Sequence, residues 1–212
     1  MELREARAAV LEVAKRAAGL GLVPYTTGNF SLRDAASGRV VITPSALRYD
    51  LMTESDLLIV DQAGHILEGN HQPSTETPLH LSIYADRPDI HGVIHTHSPY
   101  LTCFAALGME IPAINTSQYI TGPKIPVAPC TMRAIEGMPA ILEKLRESPV
   151  VLFGSHGAVA TGPDLELAFR RSVMAEHFAN VYHLALQVGK PKIIAAEDIK
   201  KKMVARGWGP KV

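Results

Sequence analysis

The run His91-Gly92-Val93-Ile94-His95-Thr96-His97-Ser98-Pro99, residues 91–99, decides how the rest of the chain is read. Val93 and Ile94 mark the end of a buried strand, and Ser98-Pro99 opens a helix that continues through Leu101, Phe104 and Leu107. Along a strand, side chains at i and i+2 share a face and stand about 6.6 Å apart. His95 and His97 can therefore present two imidazoles to one metal ion. An isolated H-x-H can equally be two water-facing histidines, but two other stretches favour the metal. Ser74-Thr75-Glu76 lies shortly upstream, and Gly154-Ser155-His156-Gly157 follows the apolar strand Val150-Val151-Leu152-Phe153. A third histidine at a strand end, flanked by glycine, is what a three-histidine catalytic site requires. The chain reads as a metalloenzyme.

Its 212 residues suit a single α/β domain over residues 1–212, large enough for a substantial core without disulfides. Apolar residues make up 47% and charged residues 20%, the balance of a folded chain. Lys and Arg total 21, as do Asp and Glu, so no surplus of positive charge recommends a nucleic-acid partner. The N-terminal segment reads as a charged amphipathic helix rather than a signal peptide, and no apolar run reaches membrane-spanning length. Cys103 and Cys130 form no metal-ligand pair and read as reduced thiols of a cytoplasmic protein.

Residues 2 to 18 carry an apolar stripe at helical spacing, ended by Gly19 and Gly21. Thr26 to Asp34 reads as a turn into an alternating strand, and Ser37-Gly38 turns back into Val40-Val41-Ile42 as a hairpin. Thr43-Pro44-Ser45-Ala46 is a tight loop. Glu54-Ser55-Asp56 leads into the strand Leu57 to Val60, and Gly64 turns the chain into Ile66 and Leu67. A helix begins at Ser74-Thr75-Glu76 and stops at Pro88. Residues 108 to 131 read as strand pieces and loops, Met138 to Leu145 as helix, and Val150 to Phe153 as strand. Gly157 to Ala160 is its hairpin partner, closed by Thr161-Gly162-Pro163. The longest periodic helix runs from Asp164 to Val188, capped by Asp164 and ended by Gly189, and a short one spans Glu197 to Ala205.

Three neutral imidazoles leave zinc an open position, the catalytic arrangement rather than the structural one; manganese or cobalt also fits. Among the nine histidines, His91 shares a face with His95 but lies about 13 Å away along the strand, too far for the same ion. His65 and His71 lie in loops, and His177 and His183 on the long helix. His80 sits one turn after Glu76 and could orient it. Glu76 at a helix start can be a simple capping carboxylate, but beside a metal it can also move protons at a carbon. Gly28-Asn29, Ser45-Ala46 and Ser74-Thr75 are ordinary turn chemistry taken singly. Together they offer backbone N–H groups and hydroxyls, one set at a helix N-terminus, as a phosphate cradle.

In their order these motifs resemble the class II aldolase/adducin family, typified by enzymes that cleave L-fuculose 1-phosphate. The matching residues are Thr27-Gly28-Asn29-x-Ser31, Ile42-Thr43-Pro44-Ser45, Pro73-Ser74-x-Glu76, His95-x-His97 and His156-Gly157, and the likeness runs from about residue 5 to 190. The resemblance implies a three-layer α/β/α sandwich with a central, mostly antiparallel sheet, and a homotetramer with sites near subunit interfaces. It implies one zinc ion per subunit on His95, His97 and His156, with Glu76 as acid/base. It also implies a small phosphorylated sugar held by Gly28, Asn29, Ser45, Ala46, Ser74 and Thr75. The expected reaction is reversible cleavage of a ketose 1-phosphate to dihydroxyacetone phosphate and an aldehyde. Alternatives are a 3-oxo-tetronate 4-phosphate decarboxylase, a ribulose-5-phosphate 4-epimerase, a methylthioribulose-1-phosphate dehydratase and a non-enzymatic adducin-like scaffold. The epimerase branch carries Asp where this chain has Glu76. Two departures touch the leaving aldehyde and the phosphate: Ala46 replaces a glycine, and Thr116 stands where the aldolase has a proton-donating tyrosine, with Tyr119 three residues on.

Overall fold

Strand β5 (Gly92–Thr96) is apolar enough to be covered on both faces, and all five of its residues are buried. Its neighbours are β1 (Asn29–Arg33) and β10 (Gly157–Gly162), both antiparallel to it. The computed structural model describes residues 3–129 and 134–207. On the β1 side the sheet continues through β2 (Val40–Ile42), β3 (Leu58–Val60) and β4 (Ile66–Glu68); on the other side lie β9 (Val150–Phe153) and β8 (Val127–Ala128). The eight strands run in the order β4-β3-β2-β1-β5-β10-β9-β8, and of these pairs only β8–β9 is parallel.

Alternate residues of β5 face different layers. Ile94 packs with Val10, Phe30 and Phe169 beneath α1 (Leu3–Gly19) and α5 (Leu165–Val188), a face that α3 (Pro99–Ala106) extends over β9 and β10. Val93 packs with Ile83, Leu145 and Val159 beneath α2 (Thr77–Asp86) and α4 (Ala134–Glu147). The α/β/α sandwich with a mostly antiparallel sheet is thus observed. Double covering also corrects one expectation: β1 does not alternate, because four of its five residues are buried. The hairpin at Ser37-Gly38 forms as read, with Leu32 opposite Val41.

Other differences are local. Helix α4 starts at Ala134, ahead of the expected Met138, and carries Pro139 inside it. Thr161 and Gly162 belong to β10 rather than to a closing turn. Between residues 108 and 131 lie the short pair β6 (Ile111–Pro112) and β7 (Lys124–Ile125) and a 3-10 turn, Thr116–Ile120, on which α6 (Ala196–Ala205) packs through Ile199 and Met203. Cys103 is free and exposed, while Cys130 lies outside the described residues.

Two facing glycines seat α5 on the sheet. Gly92 and Gly162 are register partners. A Cβ on Gly92 would lie 2.6 Å from Leu165 Cα, and one on Gly162 would lie 2.7 Å from the Asp164 carbonyl oxygen. Neither site tolerates a side chain without moving the helix, whose N-cap Asp164 accepts from the Leu167 N–H at 2.6 Å. Arg33 fixes the opposite layer. Its guanidinium donates to the carbonyls of Tyr84 at 2.7 Å and Pro88 at 2.8 Å, tying β1 to the last turn of α2. Replacing Gly92 with alanine is expected to cost about 1–3 kcal/mol, the usual penalty for overpacking a close contact. A denaturant midpoint unchanged from the parent protein would show that α5 does not sit this close.

Candidate active site

His95 is completely buried at the middle of the sheet, flanked in register by Asn29 on β1 and Val159 on β10. Its Nδ1 lies 3.0 Å from the Ala158 carbonyl oxygen, an acceptor, so that nitrogen carries the proton. Burial, only partly opposed by Glu76, pushes His95 down to about 3 and keeps the ring neutral. Its Nε2 is then bare. It faces His97 Nε2 at 2.8 Å and Glu76 Oε2 at 3.2 Å. The Ala158 carbonyl thus acts as the outer partner that fixes tautomer and ring orientation.

His97 follows the last residue of β5, at the corner into α3. Burial lowers its pKa as well, with His156 adding to the effect. The corner is held by Glu176 of α5, whose carboxylate accepts from Ser98 Oγ at 2.8 Å and from the N–H groups of Tyr100 and Leu101 at 2.9 Å each. His156 stands in the tight β9–β10 turn, where Ser155 adopts a positive φ of 56° and donates its N–H to the Ala105 carbonyl at 3.0 Å. Gly157 must lack a side chain because a Cβ there would run into the Thr96 carbonyl. The three rings form a near-equilateral triangle, with centroids 4.7, 4.9 and 4.8 Å apart. One ligand atom from each lies within 4.8 Å of the others. Bonds of about 2.0–2.1 Å to zinc at tetrahedral angles separate ligand nitrogens by about 3.3 Å, so the triangle fits one such ion.

Glu76 completes the group. It is the N-cap residue of α2, yet its side chain makes no capping hydrogen bond. Instead Oε2 accepts from Asn29 Nδ2 at 2.8 Å, and Oε1 lies 3.1 Å from His156 Nε2. Burial works to raise its pKa. The hydrogen bonds from His156 and Asn29 oppose it and win, holding the carboxyl well below its usual range. His80, expected to orient Glu76, faces Asn29 instead, its Nε2 lying 2.6 Å from Oδ1 of the amide that donates to Glu76.

The loops expected to cradle phosphate meet beside this group. Gly28 has φ of +74°, and a Cβ there would lie 2.7 Å from the His95 carbonyl oxygen, so the turn passes close against β5. Tyr49 Oη donates to the Gly28 carbonyl at 2.7 Å. Ser45 N–H donates to the Gln72 carbonyl at 2.9 Å and Ser74 N–H to the Thr43 carbonyl at 3.2 Å, joining the Ser45-Ala46 loop to the Ser74-Thr75 loop. Ala46 itself adopts a positive φ of 57°, the conformation for which glycine is better suited. Ser74 is buried, with its Oγ accepting from the Glu76 N–H at 3.2 Å, while Ser45, Ala46 and Thr75 are exposed.

Other histidines have separate partners. His91 Nδ1 lies 3.3 Å from the Arg33 carbonyl, and exposed His65 and His71 each face an aspartate, Asp61 and Asp56, at 2.9 Å. Tyr119, the candidate substitute for the missing tyrosine, packs beneath α6 with Lys202 Nζ 4.8 Å from its ring centre. Glu176, Tyr49 and Tyr84 escaped the sequence reading, and Ser31 entered it only as a motif residue, because each acts on a partner that only folding brings near.

Fold and cluster together describe a metal-dependent enzyme of the α/β/α class. The chain belongs to the class II aldolase and adducin family: residues 8–183 match the model described as the class II aldolase and adducin N-terminal domain. It is 31% identical over 201 residues to a 5-deoxy-D-ribulose 1-phosphate aldolase of Bacillus thuringiensis, covering 94% of each chain. An L-ribulose-5-phosphate 4-epimerase of Salmonella paratyphi B is 34% identical over 208 residues, covering 90% of this chain and 89% of that one. A solved L-fuculose 1-phosphate aldolase superposes with a TM-score of 0.88 at 28% identity, over 96% of both chains. Membership of this family with aldolase relatives makes the chain a metal-dependent lyase acting in sugar-phosphate metabolism. Among the described residues, no helix is long and apolar enough to cross a membrane. Replacing His156 with alanine is expected to lower bound divalent metal sharply while circular dichroism stays unchanged. Full metal content in that variant would remove His156 from the group.

Proposed function

We propose that the protein is a zinc-dependent aldolase that reversibly cleaves a ketose 1-phosphate, such as L-fuculose 1-phosphate, to dihydroxyacetone phosphate and an aldehyde. The observation that carries this reading is Glu76, an ionised carboxylate that leaves its helix uncapped to sit against His95, His156 and Asn29. His95, His97 and His156 would hold the ion, one per subunit; manganese or cobalt accepts the same donors. When bound, it supplies Lewis-acid polarisation of the substrate's carbonyl and hydroxyl oxygens, so no lysine Schiff base is needed.

Gly28, Asn29, Ser45, Ala46, Ser74 and Thr75 hold the phosphate, a role supported by the ties that join their loops. In the cleavage direction the C4 hydroxyl gives its proton to the Glu76 carboxylate and the C3–C4 bond breaks. C4 leaves as the aldehyde, and the electron pair stays on C3. Glu76 then delivers a proton to C3. The name of the 31%-identical Bacillus relative supports a ketose 1-phosphate substrate. The 34%-identical epimerase supports a second reading, in which the same bond is broken and rejoined after rotation of the aldehyde.

We also infer that residues 1–212 act as one domain, in a cytoplasmic homotetramer. Leu184, Leu186, Val188 and Ile193 are exposed around the end of α5, an apolar surface that assembly would cover.

Zinc-loaded protein incubated with ketose 1-phosphates and pentulose 5-phosphates should release dihydroxyacetone phosphate from the former. An epimer without free aldehyde would give the second reading first place. Glu76→Gln should keep zinc and bind substrate yet lose roughly 10²–10⁴-fold in turnover, the usual share of a positioned acid/base. The same variant should fail to exchange the C3 proton of dihydroxyacetone phosphate with deuterated water; exchange at the parent rate would exclude Glu76 as the base. Ser74→Asp should raise KM sharply by setting a like charge against the phosphate dianion. An unchanged KM would move the phosphate elsewhere.

A further inference from the structure

Four buried side chains lead away from Glu76 in a line that crosses from α2 to β1 and back. Glu76 Oε2 accepts from Asn29 Nδ2 at 2.8 Å. Asn29 Oδ1 lies 2.6 Å from His80 Nε2, His80 Nδ1 lies 2.6 Å from Ser31 Oγ, and Ser31 Oγ lies 2.7 Å from Tyr84 Oη. His80 and Ser31 are wholly inaccessible, and Asn29 and Tyr84 nearly so.

The orientation of the Asn29 amide sets the direction of the hydrogen bonds beyond it. Asn29 turns its NH2 toward Glu76 Oε2 and its oxygen toward His80 Nε2. That oxygen only accepts, so His80 Nε2 must carry a proton. Burial pushes His80 down to about 4 against the pull of Glu76, and a neutral ring carries one proton only. Nδ1 is therefore bare and accepts from Ser31 O–H. Ser31 Oγ accepts the Tyr84 O–H at 2.7 Å in preference to the His91 carbonyl, 3.2 Å from Tyr84 Oη. The opposite polarity would set Asn29 Oδ1 against the Glu76 carboxylate.

We propose that His80 is a positioning residue of this site: by holding the Asn29 oxygen it locks the amide so that one N–H is committed to Glu76 and the other stays free for substrate. The proposal rests on Glu76 acting as the acid/base, and it changes the part assigned to Asn29. An asparagine whose oxygen and one hydrogen are already engaged is a brace for the carboxylate as well as one donor to the bound sugar phosphate. Ser31 and Tyr84 stabilise the His80 tautomer rather than move protons.

Two readouts test it. In zinc-loaded protein with ring-¹⁵N histidine, the resonance lost in His80→Gln should report the neutral Nε2–H tautomer; an Nδ1–H tautomer would overturn the proposal whatever the enzyme turns over. In kinetics, His80→Leu should lower kcat by roughly 10–100-fold, the usual cost of losing an outer partner of a metal site, with zinc content little changed. His80→Gln, which keeps an N–H near the position of Nε2, should recover most of that loss. A Gln variant as slow as the Leu variant, or a Leu variant with the parent kcat, would reduce His80 to a packing residue. Should the leucine variant fail to fold, the glutamine variant and the tautomer still decide. If the parent protein cleaves no ketose 1-phosphate, the aldolase reading falls while the tautomer still decides the His80–Asn29 contact.

Discussion

A fully buried imidazole must find a partner for each of its two nitrogens, and the organisation around β5 follows from how His95 does so. One nitrogen is answered by the Ala158 carbonyl of the neighbouring strand, which only the β5–β10 register can deliver. The other has to look along the strand toward His97 and Glu76. Three elements are constrained by that single ring. β10 must run close enough to offer its carbonyl, so Gly157 has no side chain. β1 must bring Asn29 opposite His95, so the Gly28 turn passes close against the strand with nothing but hydrogen in the way. The start of α2 must point inward, so its first carboxylate is lost to capping.

The same argument explains why so much polar structure is tolerated inside. A buried carboxylate is costly unless each charge-bearing oxygen is met. Glu76 meets this requirement with Asn29 on Oε2 and His156 Nε2 on Oε1. The line through Asn29, His80, Ser31 and Tyr84 leaves each bridging hydrogen with a defined acceptor, and such fully satisfied networks rigidify rather than weaken a core. Arg33, which fastens the last turn of α2 to β1, holds the two ends of that line in step.

Much of this was legible in the chain. The strand-end spacing of His95 and His97, the glycine beside His156 and the carboxylate at the start of α2 sit within short stretches whose local geometry is set by the strand repeat and by turn chemistry. Burial was less legible. β1 looked half-exposed because its sequence mixes polar and apolar residues, and nothing local says that Asn29 and Ser31 are polar in order to serve partners on α2. Glu176 was invisible for the same reason, since a glutamate in a long helix has many solvated counterparts and its partner Ser98 is 78 residues away in sequence. Residues 108–131 resisted reading because two-residue strands and a 3-10 turn leave too little periodicity to detect.

The grip of Glu176 on α3 also has an electrostatic side. A helix begins with unpaired N–H groups and a partial positive charge, which commonly attract a ligand's phosphate. Here the first position is Pro99, which has no N–H, and the next two N–H groups are taken by the carboxylate of the protein's own α5. The helix nearest His97 is therefore already neutralised, and a dianion arriving there would meet negative charge instead of positive. In the proposed site a sugar phosphate can settle only one way round, with its phosphate toward the Gly28, Ser45 and Ser74 loops and its carbon skeleton toward the histidines. On that reading the polarity of binding follows from Glu176, a side chain whose carboxylate is engaged within the protein itself.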